Sequence, residues 1–227
     1  MSVETNLSSG LDCASGLPGG ALRSNNLSLG RLMDVVLATL VLVFLAPLMA
    51  LIGLAVWMQD GGPVFYAQSR IGRGGTRFKC LKFRSMLVDA DQRLQQLLVQ
   101  DPAAKDEWER DHKLRDDPRI TAFGSFLRRS SVDEIPQLFN VLRGEMSLVG
   151  PRPIVAAEVP RYRRYISHYC SVTPGITGLW QISGRNDVSY RRRVALDVTY
   201  ARSKSFWLDL KILAATVPAV LLRKGSY

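Results

Sequence analysis

The chain has 227 residues, enough for one domain with a sizeable core or a small domain with an appendage, and too few for two full domains. Thirty Lys and Arg against twenty Asp and Glu give a formal charge of +10, which favours an anionic partner: nucleic acid, acidic lipid headgroups or a phosphorylated small molecule. Cys13, Cys80 and Cys170 stand far apart and the histidines are His112 and His168, so no zinc-ligand spacing exists and no disulfide framework is expected; an odd cysteine count without a secretory signal reads as a reducing, cytoplasmic compartment for the catalytic part.

Residues 1–28 are rich in Ser, Gly and Asn without a sustained period and read as a flexible leader. From Val35 to Met58 follow twenty-four residues without a charge, longer than a crossing of a ~30 Å hydrocarbon core requires. The run starts too late and is too long for a signal peptide, and no small-residue cleavage site follows it. Pro47 lies near its middle, where a proline removes a backbone bond and bends a helix. Each arm is then ~18 Å of helix, about half the core thickness. That geometry predicts a re-entrant membrane helix over 29–60, broken at Pro47, with a plain span as the alternative. Basic residues flank both ends, so charge asymmetry does not decide between them. Arg31 and Asp34, one turn apart before the apolar run, read as an interfacial pair or as simple helix flanks.

Beyond Gly61-Gly62-Pro63, two β-prone pieces surround the hairpin signal Gly72-Arg73-Gly74-Gly75. Leu94, Leu97 and Leu98 recur at helical spacing in a helix predicted over 88–100. Pro102, Pro118, Pro151, Pro153 and Pro174 divide the following chain into short elements, which predicts an irregular, mostly helical α/β domain rather than a doubly wound sheet. The stretch from Ser205 to Tyr227 is apolar with few charges and reads either as an interfacial helix, with Trp207 and Arg223-Lys224 at headgroup depth, or as core.

The segment Ser130-Ser131-Val132-Asp133-Glu134-Ile135-Pro136-Gln137 carries the chemistry. Ser131 with Glu134 has the spacing of a capping box, but that cap would put Pro136 inside the helix; a cap near Asp133 places Pro136 where its missing N–H costs nothing. Asp133 would then stand ionised at a positive helix end, a suitable place for a carboxylate nucleophile toward phosphorus. Repulsion by a diphosphate is offset when Mg²⁺, with Glu134 as a ligand, and the arginines Arg128, Arg129, Arg143 and Arg152 share its charge.

These residues, with Lys82-Phe83-Arg84-Ser85-Met86, the run Asp116 to Pro153 ("DDPRITAFGSFLRRSSVDEIPQLFNVLRGEMSLVGPRP") and the run beginning Pro174-Gly175-Ile176-Thr177-Gly178, resemble the bacterial sugar transferases, the monotopic polyprenyl-phosphate phosphoglycosyl transferases. The resemblance runs from about Arg31 onward. Within the family the short chain and its ending Gly225-Ser226-Tyr227 are most similar to the galactose phosphotransferase branch. It implies transfer of a hexose 1-phosphate, galactose first and glucose second, from a UDP-sugar to undecaprenyl phosphate, with release of UMP through a covalent aspartyl phosphosugar. Asp133 matches the family's nucleophile and Glu134 its Mg²⁺ ligand. Arg128 and Arg152 match positions associated with the diphosphate, and Asp197 matches an acidic position that supports the cation or the arginines, with a helix salt bridge as the alternative. The family's helix break is often Ser-Pro, where this chain has Ala46-Pro47.

Lys82 and Arg84 fall on one strand face suited to phosphate. Gln181, Arg185 and Asn186 are candidate contacts for a nucleotide base in a Gly-rich segment that otherwise reads as structural turns. Arg191 to Arg193 read as a solvated or lipid-facing run. The organisation expected is a leader over 1–28, a re-entrant helix over 29–60 and a small cytoplasmic catalytic domain with interfacial amphipathic helices over 61–227, at the bacterial inner membrane. Membrane lipids are partners and nucleic acid is not; a homodimer and contacts with other polysaccharide-assembly proteins stay open. A membrane-tethered anion-binding or scaffold protein is the contrasting function.

Overall fold

The computed structural model describes residues 28–111, 114, 117–184 and 188–221, so the leader lies outside them except for Ser28. Helix α1 (Leu29–Asp60) is helical without interruption and contains Pro47. The break expected there is therefore not a gap in the helix: Pro47 withholds one N–H without ending it. Among the described residues this is the one helix long and apolar enough to cross a membrane, with mean hydropathy 2.9 over its best window, of which 22% is buried. Phe44 is 82% and Val43 70% exposed. A core helix of a soluble domain would cover such side chains.

Strands β1 (Phe65–Ile71) and β2 (Arg77–Phe83) form a two-stranded sheet, joined by the expected tight turn, in which Gly74 and Gly75 take φ of +68° and +78°. Then come α2 (Ala90–Gln100), α3 (Pro102–Asp111), α4 (Ala122–Ser130), a 3₁₀ turn (Val132–Glu134) and α5 (Gln137–Arg143). The remainder holds β3 (Ser147–Val149), α6 (Val159–Tyr162), α7 (Ile166–Ser171), β4 (Gly175–Thr177), α8 (Leu179–Ile182), α9 (Tyr190–Ser203) and α10 (Phe206–Leu221). Strands β3 and β4 pair in parallel, Ser147 opposite Gly175 and Val149 opposite Thr177. The result is a mostly helical α/β fold with two small sheets, as the proline spacing predicts.

The chain forms two compact units, and α1, β1 and β2 each contribute residues to both. One unit comprises Val43–Ala67 and Leu81–Pro136. Its core joins Ile52 and Val56 of α1 to Phe83 of β2 and Leu127 of α4. Helix α1 thus supplies an apolar face to this core as well as an exposed one.

The other unit comprises the described residues up to Leu42, Gln68–Cys80 and the described residues from Gln137 on. Ile71, Ile154, Tyr162, Tyr169, Val194 and Val198 form its core, and the buried Tyr169 hydroxyl donates to Ile71 O at 2.7 Å. Arg31 and Asp34 are not partners of each other here. Arg31 donates to Val141 O (2.6 Å) and Leu142 O (3.0 Å) in the last turn of α5, where a cation offsets unpaired carbonyls. Asp34, 5% exposed, accepts from Leu148 N at 3.0 Å. Helix α10 has one buried and one exposed side: Asp209 and Ile212 are buried, while Trp207 is 70% and Val217 60% exposed; Arg223 and Lys224 lie outside the described residues.

Candidate active site

Three local devices build the site in the unit that holds Asp133. Thr121 caps α4, its Oγ1 accepting from Gly124 N at 2.8 Å. Gly124 lies directly on the end of β2, because a Cβ there would stand 2.0 Å from Ser85 O. One turn later Arg128 Nε donates to Ser85 Oγ at 2.8 Å. Ser131 then ends α4 in the left-handed conformation, φ +58°, with its N–H returned to Arg128 O. This reversal turns the two carboxylates of the 3₁₀ turn toward Lys82.

Lys82 Nζ stands 2.6 Å from Glu134 Oε1 and 3.6 Å from Asp133 Oδ2. Asp133 is 6% exposed, whereas the Glu134 side chain keeps 32% of its surface. Burial pushes the Asp133 carboxyl above the usual carboxylate range; Lys82 and Arg128 pull it down, and Glu134 adds to the rise. Burial also lowers the Arg128 guanidinium, against the charges of Asp133 and Asp117. Cations on side chains are what keep this carboxylate available.

The capping expectations for this stretch need correction. Ser131 makes no side-chain cap bond, and α5 begins only at Gln137, so Asp133 precedes that helix by a turn and is not its cap. Pro136 stands immediately before α5, where its missing N–H breaks no helical bond. Arg84, grouped with Lys82 in the sequence, is buried and bound to the Asp60 carboxylate and to Val56 O (3.3 Å). It fastens β2 to the end of α1, while Lys82 faces the carboxylates. Asp60 and Ser85 escaped the sequence reading, since each acts through a partner distant in the chain.

In the other unit Arg152 is half-buried after β3, and Gln181 of α8 is half-buried with Nε2 3.4 Å from Ile176 O. Asp197 is 2% exposed and accepts from the Tyr162 hydroxyl at 2.7 Å. Burial raises its carboxyl to about 6, against the Tyr162 hydrogen bond and the charge of Arg193. Arg185 and Asn186 lie outside the described residues. The basic run divides: Arg191 and Arg192 are exposed, whereas Arg193 turns inward, over the rings of Trp180 (4.9 Å) and Tyr190 (5.3 Å) and 3.5 Å from Glu158. Its spacing of four from Asp197 is the signal that identifies it.

Among the described residues no three His, Cys, Asp or Glu side chains gather to hold a metal unaided. Two adjacent carboxylates, one of them a third exposed, fit a Mg²⁺ that takes its other ligands from water and substrate phosphate.

A family model described as bacterial sugar transferase matches residues 25–223. The chain belongs to the bacterial sugar transferase family. Among its relatives, the exopolysaccharide production protein ExoY of Sinorhizobium fredii is 50% identical over 208 residues, 92% of this chain and 92% of that protein. The undecaprenyl-phosphate galactose phosphotransferase of Salmonella typhimurium is 50% identical over 199 residues, 88% of this chain. The UDP-glucose:undecaprenyl-phosphate glucose-1-phosphate transferase of Escherichia coli is 40% identical over 210 residues, 89% of this chain. This sugar transferase spans 42% of the length of the Salmonella and Escherichia proteins. Several long motifs in one order had pointed to the same family.

Proposed function

We propose that the protein transfers hexose 1-phosphate from a UDP-sugar to undecaprenyl phosphate, releasing UMP, as an early membrane step of exopolysaccharide assembly. The observation that carries this reading is a buried aspartate with a lysine ammonium 3.6 Å away and a second carboxylate beside it. Such an aspartate is shielded from water, and a neighbouring cation holds part of its population ionised for attack.

In the first step an Asp133 carboxylate oxygen attacks the phosphorus that carries the sugar. The bond from that phosphorus to the bridging oxygen breaks, UMP leaves with the electron pair, and an acyl phosphate forms. In the second step a phosphate oxygen of undecaprenyl phosphate attacks the same phosphorus and Asp133 leaves as a carboxylate. Arg128 and Arg152 contribute positive charge for the diphosphate, and Lys82 orients Asp133 and offsets its charge. Gln181, Arg185 and Asn186 are retained as base contacts and Asp197 as a support for the arginines. Glu134 would hold Mg²⁺, which when bound supplies charge neutralisation of the diphosphate.

Helix α1 enters the membrane from the cytoplasmic side and returns to it, with its bend at Pro47, and the exposed face of α10 rests at the interface. Galactose is the sugar favoured, because the Salmonella relative named for it is more similar than the Escherichia relative named for glucose. The test is intact mass spectrometry of the purified protein with Mg²⁺ and either UDP-galactose or UDP-glucose, without lipid acceptor. One phosphohexose should appear on the wild type with UDP-galactose and be missing from Asp133→Asn. UMP release on adding lipid, with no adduct from any UDP-hexose, would replace the covalent route by direct transfer.

A further inference from the structure

Between α9 and the segment from Pro160 to Tyr165 lies a groove of about 1250 Å³. Five arginines line it: Arg161, Arg163 and Arg164 on one wall, Arg191 and Arg202 on the other. Helical spacing puts Arg191, Ala195, Val198 and Arg202 on one face of α9 and Arg193, Asp197 and Tyr200 on another. The groove thus shares Tyr162 and Tyr190 with the Asp197 network, while Arg191 and Arg202 lie on a different face of α9 from Asp197.

The ion pairs among the described residues of this unit join Arg70 and Arg193 to Glu158 and Asp197 and use none of the five. Their neighbours are aromatic instead. Arg161 stacks on Tyr190 at 4.9 Å and Arg164 on Tyr165 at 5.1 Å, while Arg202 lies 3.2 Å from His168 Nε2. The Arg164 hydrogen bond and charge, with the charges of Arg202 and Arg191, hold the Tyr165 phenol below its usual range, as expected where cations converge without an internal counterion. Arg163 takes φ +48°, a strained backbone of the kind found at ligand-binding turns.

The chemistry of the lining narrows the ligand. Among the described residues the lining is guanidinium, aromatic, aliphatic and proline side chains, with no carboxylate to oppose an anion. The buried Val194 and Val198 floor it, with Tyr165 and Tyr190 at its sides. A ligand with an anionic head and an apolar body matches both features, and the volume exceeds what a lone phosphate fills. The same unit contains Leu29–Leu42 of the apolar helix α1.

We propose that this groove binds the headgroup of an anionic phospholipid, a lipid contact separate from α1 and from the acceptor substrate. It rests on the reading that α1 is embedded in a bilayer. Arginine clusters are attracted to an anionic membrane surface, and the groove adds shape to that attraction.

The full chain is reconstituted in nanodiscs of phosphatidylcholine, with or without phosphatidylglycerol, and amide hydrogen exchange is followed over 159–171 and 190–203. Phosphatidylglycerol should slow exchange there about tenfold or more, and the triple variant Arg163→Gln, Arg164→Gln, Arg202→Gln should lose that protection while β3 and α5 keep theirs. Equal exchange in the two wild-type discs overturns the proposal without reference to any variant. Equal protection by inorganic phosphate in phosphatidylcholine discs overturns the lipid assignment in favour of a soluble anion. Failure of the chain to enter either disc overturns the membrane reading itself and, with it, this proposal.

Discussion

Lys82 touches both carboxylates of the site, and its effect on Asp133 is open to measurement. Since the ammonium lowers the Asp133 pKa against the rise due to burial, Lys82→Met should move the acidic limb of the pH–rate profile to higher pH and reduce activity on its acidic side most. An unmoved limb with lower activity would give Lys82 a role toward substrate alone. Asp197 offers a stability test. Its folded pKa, about 6, lies above its usual value of 3.8, so the contribution it makes is present in full below the unfolded value and is lost as pH rises from about 4 through 6. The loss is on the order of 3 kcal/mol. Asp197→Asn should flatten the fall of Tm over that interval; an unchanged slope would assign the pH dependence to other groups.

At the level of elements, α4 is held on β2 by an absent side chain. Gly124→Ala would place a carbon 2.0 Å from Ser85 O, and backbone on the far side cannot swing away as a flexible side chain would. Overpacking costs about 1–3 kcal/mol, against about 1 kcal/mol gained in helix propensity. The variant should have a lower Tm and turn over more slowly, because Arg128 and the 3₁₀ turn move with α4. Higher stability with full activity would show that the two elements separate freely. The motif around Asp133 was legible because its chemistry lies within eight consecutive residues. What was not legible was its conformation: both cap readings assumed that the carboxylates begin a helix, whereas a left-handed Ser131 puts them on a turn of their own. Arg31 and Asp34 were misread for a related reason, since one-turn spacing suggests a mutual pair and their partners lie more than a hundred residues away.

For the whole molecule, composition and proline spacing were sufficient for a mostly helical α/β fold with one long apolar helix, while the division into two units was not visible, because it follows contacts rather than consecutive sequence. It has a practical consequence. A variant lacking residues 1–60 loses Ile52 and Val56 from the core around Phe83 and Leu127, so it should fail to give a cooperative thermal transition instead of yielding a soluble catalytic fragment. A sharp transition in that fragment would show that the α1 face is dispensable.

The path of the chain through the units also sets an order in time. Described residues up to Leu42 belong to one unit, Val43–Ala67 to the other, Gln68–Cys80 to the first, Leu81–Pro136 to the second and the rest to the first again. A ribosome therefore delivers half of α1 to each unit long before either can close. Ile52 and Val56 must wait until Leu127 is made, and Asp34 must wait until Leu148 arrives. In a growing chain, therefore, the cores of both units draw on one helix that is complete before the rest of either core exists.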